Sequence, residues 1–204
     1  MGTTMHSKLA EYARMLSSWP GLVTAPPLPL IEDSLVLLDH LQEARSLIDV
    51  GSGGGMPGLP LAIARPGLRV TLLEADRRKG AFLVHAAARL GLEVEVVVER
   101  AETAAHGRLR EAFDLAVSRA LASMPVLAEL CLPFVRVGGR LLAMKAGVEP
   151  APGAISRLGG GAAEVIPAPS PARERGLLVV VPKVAPTPPA YPRRPGVPAR
   201  RPLR

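Results

Sequence analysis

One cysteine, one tryptophan, two tyrosines and three phenylalanines are all that this 204-residue chain carries of those residue types. A lone thiol, Cys131, makes neither an internal disulfide nor a cysteine-based zinc cluster. A chain of this length buries roughly 70% of its unfolded surface and needs neither. Aromatics at 3% exclude nucleic-acid modules built on stacking platforms. No run of about 18 apolar residues is present to span a bilayer. The segment from Met1 to His6 lacks both a signal-peptide apolar region and the Ser/Thr that a myristoylation site requires. His6, His40, His85 and His106 have no metal-ligand spacing, so no metal is expected. These absences predict a soluble, cytoplasmic protein with one main domain, most simply a monomer.

Proline is plentiful instead, at 22 residues, and the charge is unevenly placed. The net charge of +7 resides entirely from Arg173 onward, where Arg173, Arg175, Lys183, Arg193, Arg194, Arg200, Arg201 and Arg204 face Glu174 alone. From Pro186 the prolines preclude a helix or a central strand, because each removes an amide donor and fixes φ. Residues 186–204 therefore read as an extended basic strap. Such a segment is either a phosphate-contacting arm or a solvated tail.

Met5, Leu9, Tyr12, Met15 and Leu16 have helical spacing, which Trp19-Pro20-Gly21 ends. With a second helix expected over 31–43, residues 1–45 form a short helical cap. Strand candidates at 46–50, 68–74, 94–99, 113–118 and 140–145 then alternate with helices near 77–90, 101–110 and 122–135. Alternation of this kind predicts βαβ crossovers and an α/β class, Rossmann-like and doubly wound, with a mostly parallel sheet across residues 46–185. Late strands at 165–167 and 176–181 have no helix between them and are expected to pair antiparallel at the sheet edge.

Between the first strand and the next helix stands Asp49-Val50-Gly51-Ser52-Gly53-Gly54-Gly55-Met56-Pro57-Gly58, with Pro57 suited to open that helix. Bare backbone at such a turn can approach a nucleotide closely. The following strand ends in Glu74, a carboxylate placed to accept hydrogen bonds from adenosine ribose hydroxyls. Gly53, Gly55 and Gly58 literally satisfy the dinucleotide fingerprint, which keeps a nicotinamide-dependent oxidoreductase as an alternative. Asp49 weighs against it: an anion at the strand's end repels a diphosphate but suits the ammonium and sulfonium of S-adenosylmethionine (SAM). Arg119 and Lys145 end adjacent strands, at the rim where doubly wound sheets bind ligands, and could position a base or a phosphate. Arg77, Arg78 and Lys79 crowd a helix start, an unfavourable place for cations and hence a candidate RNA contact. Cys131 lies within an apolar helix and reads as a core thiol.

Three segments carry a resemblance to a known family: residues 47–61 around the glycine turn, Phe113-Asp114-Leu115-Ala116-Val117-Ser118-Arg119-Ala120, and Leu142-Ala143-Met144-Lys145. Together with Tyr191-Pro192-Arg193-Arg194-Pro195-Gly196 they resemble the bacterial 16S ribosomal RNA (guanine-N7)-methyltransferase G family, formerly glucose-inhibited division protein B, over roughly residues 30–204. The resemblance implies SAM as cofactor, and 16S rRNA or the small ribosomal subunit as partner. It implies in-line methyl transfer to guanine N7 at one site without a general base. It places the methionine part of SAM at Gly51 and Met56 with Leu59 nearby, the ribose and adenine along Glu74, Ala75 and Asp76, and adenine at Ala101 and Glu102. Arg119 matches the family's cofactor-site arginine and Lys145 its lysine. Arg175, Arg193 and Arg194 are further RNA-binding candidates. The chain departs from the pattern in its shortened cap around Trp19 and in Arg175-Gly176, where members have Arg-His, so a non-catalytic SAM- and RNA-binding assembly protein is a second alternative.

Gly51→Val is expected to abolish SAM binding, by filling space the cofactor needs, while the parallel sheet still forms. Calorimetric titration with SAM and with NADH checks both this and the choice of cofactor.

Overall fold

A computed structural model describes residues 4–23, 25–147 and 151–204. Two helices, α1 (Met5–Ser18) and α2 (Pro27–Leu35), lead into the alternating part. This runs β1 (Ser46–Val50), α3 (Gly58–Ala64), β2 (Arg69–Glu74), α4 (Arg77–Leu90), β3 (Val94–Val98), α5 (Ala101–Ala104), β4 (Phe113–Arg119), α6 (Met124–Cys131) and β5 (Val135–Lys145). After α7 (Pro152–Arg157) come β6 (Glu164–Pro167), β7 (Leu177–Pro182) and α8 (Val197–Arg200). The seven strands form one sheet in the order β3-β2-β1-β4-β5-β7-β6. β1 to β5 are parallel, and β7 pairs antiparallel with both β5 and β6, as the sequence pattern predicts.

Strand residues alternate between two apolar layers because successive side chains leave opposite faces of a strand. Leu47, Leu72, Leu115, Val117, Leu142 and Leu178 pack with Tyr12, Leu16, Ile31, Leu59 and Phe82 from α1 to α4. Ile48, Leu73, Ala116, Leu141, Ala143 and Val179 pack with Leu127 and Cys131 of α6 and Ile155 of α7. Both faces are covered, which is why the parallel strands read as nearly continuous apolar runs.

Several boundaries differ from the sequence pattern. The second helix lies earlier than 31–43, since prolines in its first turn need no amide partner; a short 3-10 turn (Leu38–His40) and left-handed Gln42 follow it. The helix expected near 101–110 stops at Ala104, and residues beyond it are turns ending at left-handed Glu111. Pro57 precedes α3 rather than occupying its first position. β5 begins at Val135, with a register shift opposite Phe113 and Leu115 that accommodates Gly138 and Gly139.

The strap is folded onto the domain. Lys183, wholly buried, donates to the Leu132 carbonyl (2.8 Å) and the Thr187 hydroxyl (2.5 Å) and pairs with Glu111 (3.2 Å). Arg110 donates to the carbonyls of Thr187 (2.7 Å) and Tyr191 (2.8 Å). Backbone oxygens of a proline-rich segment, which has few amides for sheet pairing, are thus satisfied by side chains of the core.

Asp114 ties the amino end of the sheet together. It accepts from the Arg45 and Ser46 amides (2.8 and 2.9 Å), the Ser46 hydroxyl (3.0 Å) and Arg136 Nε (2.7 Å). Partial burial alone would raise its pKa, but these four donors outweigh burial and hold it at about 2. The contribution is complete above the ordinary carboxylate pKa and is lost as pH falls through about 2. Asp114→Asn is expected to flatten that acid limb, measured as chemical denaturation midpoints across this interval.

Candidate functional site

The strand order reverses at β1, whose neighbours are β2 on one side and β4 on the other. At such a switch point the connecting segments diverge to opposite faces and leave a crevice beyond the carboxyl ends of the strands. The glycine turn begins there. The Gly51 and Ser52 amides donate to the Leu73 carbonyl (2.9 and 3.1 Å), and Ser118 Oγ donates to the Val50 carbonyl (3.0 Å), so β1, β2 and β4 all anchor its start.

Asp49 lies inside the loop that this turn makes. It is fully buried; Oδ2 accepts from the Gly58 amide (2.9 Å), while Oδ1 has no partner. A Cβ on Gly58 would sit 2.9 Å from Asp49 Oδ2 and would strike Leu72, so this glycine is required by the carboxylate and the core. Gly55 is likewise closed off, by Leu59 and the Tyr12 hydroxyl, and Tyr12 donates to the Gly54 carbonyl (2.5 Å). Two of the three fingerprint glycines therefore serve packing within the protein. Gly51, at φ 73, and Gly53 remain to face a cleft.

That cleft, about 310 Å³, is lined by Gly51, Gly53, Glu74, Ala75, Lys79, Ala101, Glu102 and Arg119 among the residues singled out from sequence, and also by Glu99, Arg100, Leu121 and Leu130. The Glu74 carboxylate is pinned at the wall by the Gly53 and Asp76 amides (both 2.8 Å). The Glu102 carboxylate accepts from Arg100 Nη2 (2.7 Å) and the Gly196 amide (2.8 Å). Burial opposes its charge, yet these donors prevail and lower its pKa. Asp49 behaves oppositely: burial dominates, the Gly58 bond and Arg119 only partly offset it, and its pKa rises to about 7.

Other expected residues have different roles in the fold. Asp76 caps α4, accepting from the Arg78 and Lys79 amides (2.8 and 3.1 Å), which offsets the cost of cations at that helix start. Met56 is buried in the core. Lys145 donates to the Ala122 carbonyl (2.6 Å) and so fixes the loop after β4. Arg193 is bound to Glu129, whereas Arg77, Arg78, Arg175 and Arg194 are exposed. Cys131 is buried, and desolvation pushes its thiol pKa up, so it is inert as a nucleophile. No cluster of metal-binding side chains occurs among the described residues. A second hollow of about 570 Å³, between α6, α7 and β6, has no charged lining among the described residues and is separate from the turn.

A buried ionic group that sequence reasoning missed joins the cap to this rim. Asp33 of α2 accepts from Arg173 Nε (2.8 Å) and the Ser170 hydroxyl (2.6 Å) and lies 3.5 Å from Arg119 Nη1. Arg119 also donates to the Leu30 carbonyl (3.2 Å), and Arg173 to the Lys145 carbonyl (2.6 Å). Asp33 and Arg173 are far apart in the chain, and neither carries a local signal of its partner.

The family described as rRNA small subunit methyltransferase G matches residues 27–151. Ribosomal RNA small subunit methyltransferase G of Roseiflexus sp. (strain RS-1) is 44% identical over 213 residues, covering 96% of this chain and 91% of that one. The Roseiflexus castenholzii protein of the same name is 49% identical over 212 residues, with the same coverage. Among solved structures, the O-methyltransferase TomG from Streptomyces achromogenes, in complex with SAM, superposes with a TM-score of 0.59 at 20% identity, covering 86% of this chain and 89% of that one; this likeness is one of fold. On the strength of the family match and of the two Roseiflexus proteins, nearly full-length in both partners, the chain belongs to the rRNA small subunit methyltransferase G family.

Proposed function

We propose that this protein transfers the methyl group of SAM to N7 of one guanine in 16S rRNA, within the small subunit or a precursor of it. Family membership carries the coarser part, a SAM-dependent methyltransferase of small-subunit rRNA. The residues present suit the cofactor on one direct observation: the buried Asp49 Oδ1 lacks a partner, and an ammonium group is the donor that such an oxygen favours. Gly51 and Gly53 would hold the amino-acid portion against bare main chain, Glu74 the ribose, and Ala75 and Ala101 the adenine. Bound there, SAM supplies a methyl made electrophilic by its sulfonium. A diphosphate-bearing nicotinamide cofactor would place its anion close to Asp49, which disfavours that alternative.

Guanine N7 already has a free lone pair, so attack on the methyl requires no proton removal. The cleft suits that requirement. The Glu74 carboxylate is committed to main-chain amides and Glu102 to Arg100 and Gly196, which leaves neither in the state of a free base. Holding the base in line with the methyl can by itself contribute up to ~7 kcal/mol of barrier reduction. The cleft's border carries both signs, Lys79, Arg100 and Arg119 beside Glu74, Glu99 and Glu102, and the exposed Arg77 and Arg78 next to Lys79 are available to an RNA backbone.

The reaction is tested by incubating the purified protein and SAM with small subunits that lack the modification, then mapping methylated nucleotides by mass spectrometry. One new 7-methylguanosine is expected. A methyl on another atom overturns the N7 reading, and none at all leaves the non-catalytic one. Cofactor affinity is expected to rise between about pH 6 and 8, as the Asp49 carboxylate, with its pKa raised to about 7, becomes charged opposite an ammonium. Stability of the protein alone runs the other way, declining as pH rises from the ordinary carboxylate value to about 7. Asp49→Asn is expected to flatten both profiles, measured by titration calorimetry and by thermal melts over the same range.

A further inference from the structure

We propose that the C-terminal strap is a working part of the cofactor cleft, and that Arg193 and Gly196 are positioning residues for its adenine side; this rests on the cofactor reading above. Two carboxylates support the cleft wall, Glu129 from behind it and Glu102 within it. Glu129, fully buried, precedes Leu130, and Glu102 follows Ala101; Leu130 and Ala101 both line the cleft. Each carboxylate takes its hydrogen bonds from the strap. Glu129 accepts from the Arg193 amide (2.8 Å), Nε (2.8 Å) and Nη2 (2.6 Å), a forked arrangement that holds α6 in one position. Glu102 accepts from the Gly196 amide (2.8 Å) and passes that restraint to Arg100, another cleft residue. Gly196 has φ 79, a conformation that suits glycine and directs this amide.

The strap is held at both ends of this contact by other parts of the chain. Upstream, Lys183 fastens Thr187 and Glu111, and Arg110 fastens Tyr191. Tyr191 packs into the same apolar layer as Ala101 and Leu121, and His106 Nε2 lies 2.8 Å from the Pro192 carbonyl oxygen. Downstream, Arg193 Nη2 donates to the Arg201 carbonyl (2.8 Å), and Leu203 is buried. Removing Arg193 leaves Glu129 buried and unpaired, a strongly unfavourable state that α6 relieves only by shifting, and Leu130 with it. Arg193 is thereby occupied within the protein and is not a free phosphate ligand. Because binding free energies couple reciprocally, a cofactor that needs the wall in place must also tighten the strap.

The test compares wild-type protein with Arg193→Gln and with Arg201→Gln, which removes the same charge from the same segment. Arg193→Gln is expected to weaken SAM binding about tenfold by calorimetry and to raise KM for SAM. Its kcat at saturating SAM and its salt dependence of rRNA binding are expected to stay as in the wild type. Arg201→Gln is expected to bind SAM normally. Unchanged SAM affinity in a folded Arg193→Gln protein, or an equal loss in both variants, overturns the role of the strap. Absence of SAM binding by the wild type overturns the cofactor reading itself, and the strap's role with it. Should Arg193→Gln not fold, hydrogen exchange in the wild type decides: SAM must slow the amides of residues 191–196 as it slows those of the cleft, and unchanged exchange in the strap refutes the proposal.

Discussion

The hydrogen bond from the Gly58 amide to the buried Asp49 carboxylate closes the loop around which the rest of the site is arranged. It ties the last turn of β1 to the first residue of α3 across a core with room for no side chain at Gly58. One carboxylate oxygen is spent on that bond; the other is left without a donor. An unsatisfied buried polar oxygen costs about 1–3 kcal/mol, so this loop carries a small electrostatic deficit. The raised pKa of Asp49 is the same fact expressed as protonation: without a counter-charge, burial favours the neutral acid.

Around this loop the two ends of the chain act as braces. α1 presses on the outer side of the turn through Tyr12 and Leu16, while α2 reaches the rim through Asp33. The strap supports the opposite side through Glu102 and Glu129. Placing charges in such positions is tolerable because each is paired and further satisfied: Asp33 by two arginines and a serine, Glu129 by a forked guanidinium and an amide. Buried pairs of this type add little net stability compared with apolar replacements, but losing one partner is costly. Their consequence is geometric. They lock elements distant in sequence against the parallel sheet at the end where ligands bind.

Charge is accordingly divided by function rather than by composition. The basic excess lies at the C-terminus of the chain, yet Arg173, Lys183 and Arg193 each have a protein carboxylate as partner. The cations that line the cleft, Lys79, Arg100 and Arg119, come from the part of the chain whose charge is balanced, and Arg100 and Arg119 are paired as well, with Glu102 and Asp33. A net charge located by sequence alone therefore points to the C-terminal segment, whereas the structure shows part of that excess held in internal pairs.

What the sequence by itself determined is whatever depends on neighbours within a few residues: the alternation of strands and helices, the places of α1 and α4, the glycine turn after β1, and Glu74 at the end of β2. These follow from apolar period, turn chemistry and helix caps, all of which act locally. Boundaries misread from sequence, at α2, α5 and β5, lie where proline, a left-handed residue or a bulge overrides the period. Only the tertiary structure decided which polar residues meet. Glu102 was legible as a cleft residue but not as the acceptor for Gly196, and Asp76 was legible as acidic but not as a helix cap. Asp33 with Arg173, Lys183 with Glu111 and Arg193 with Glu129 were not legible at all. A charged side chain carries no mark of its partner. The choice is made when the sheet brings distant segments within hydrogen-bond reach and burial makes any unpaired alternative too costly.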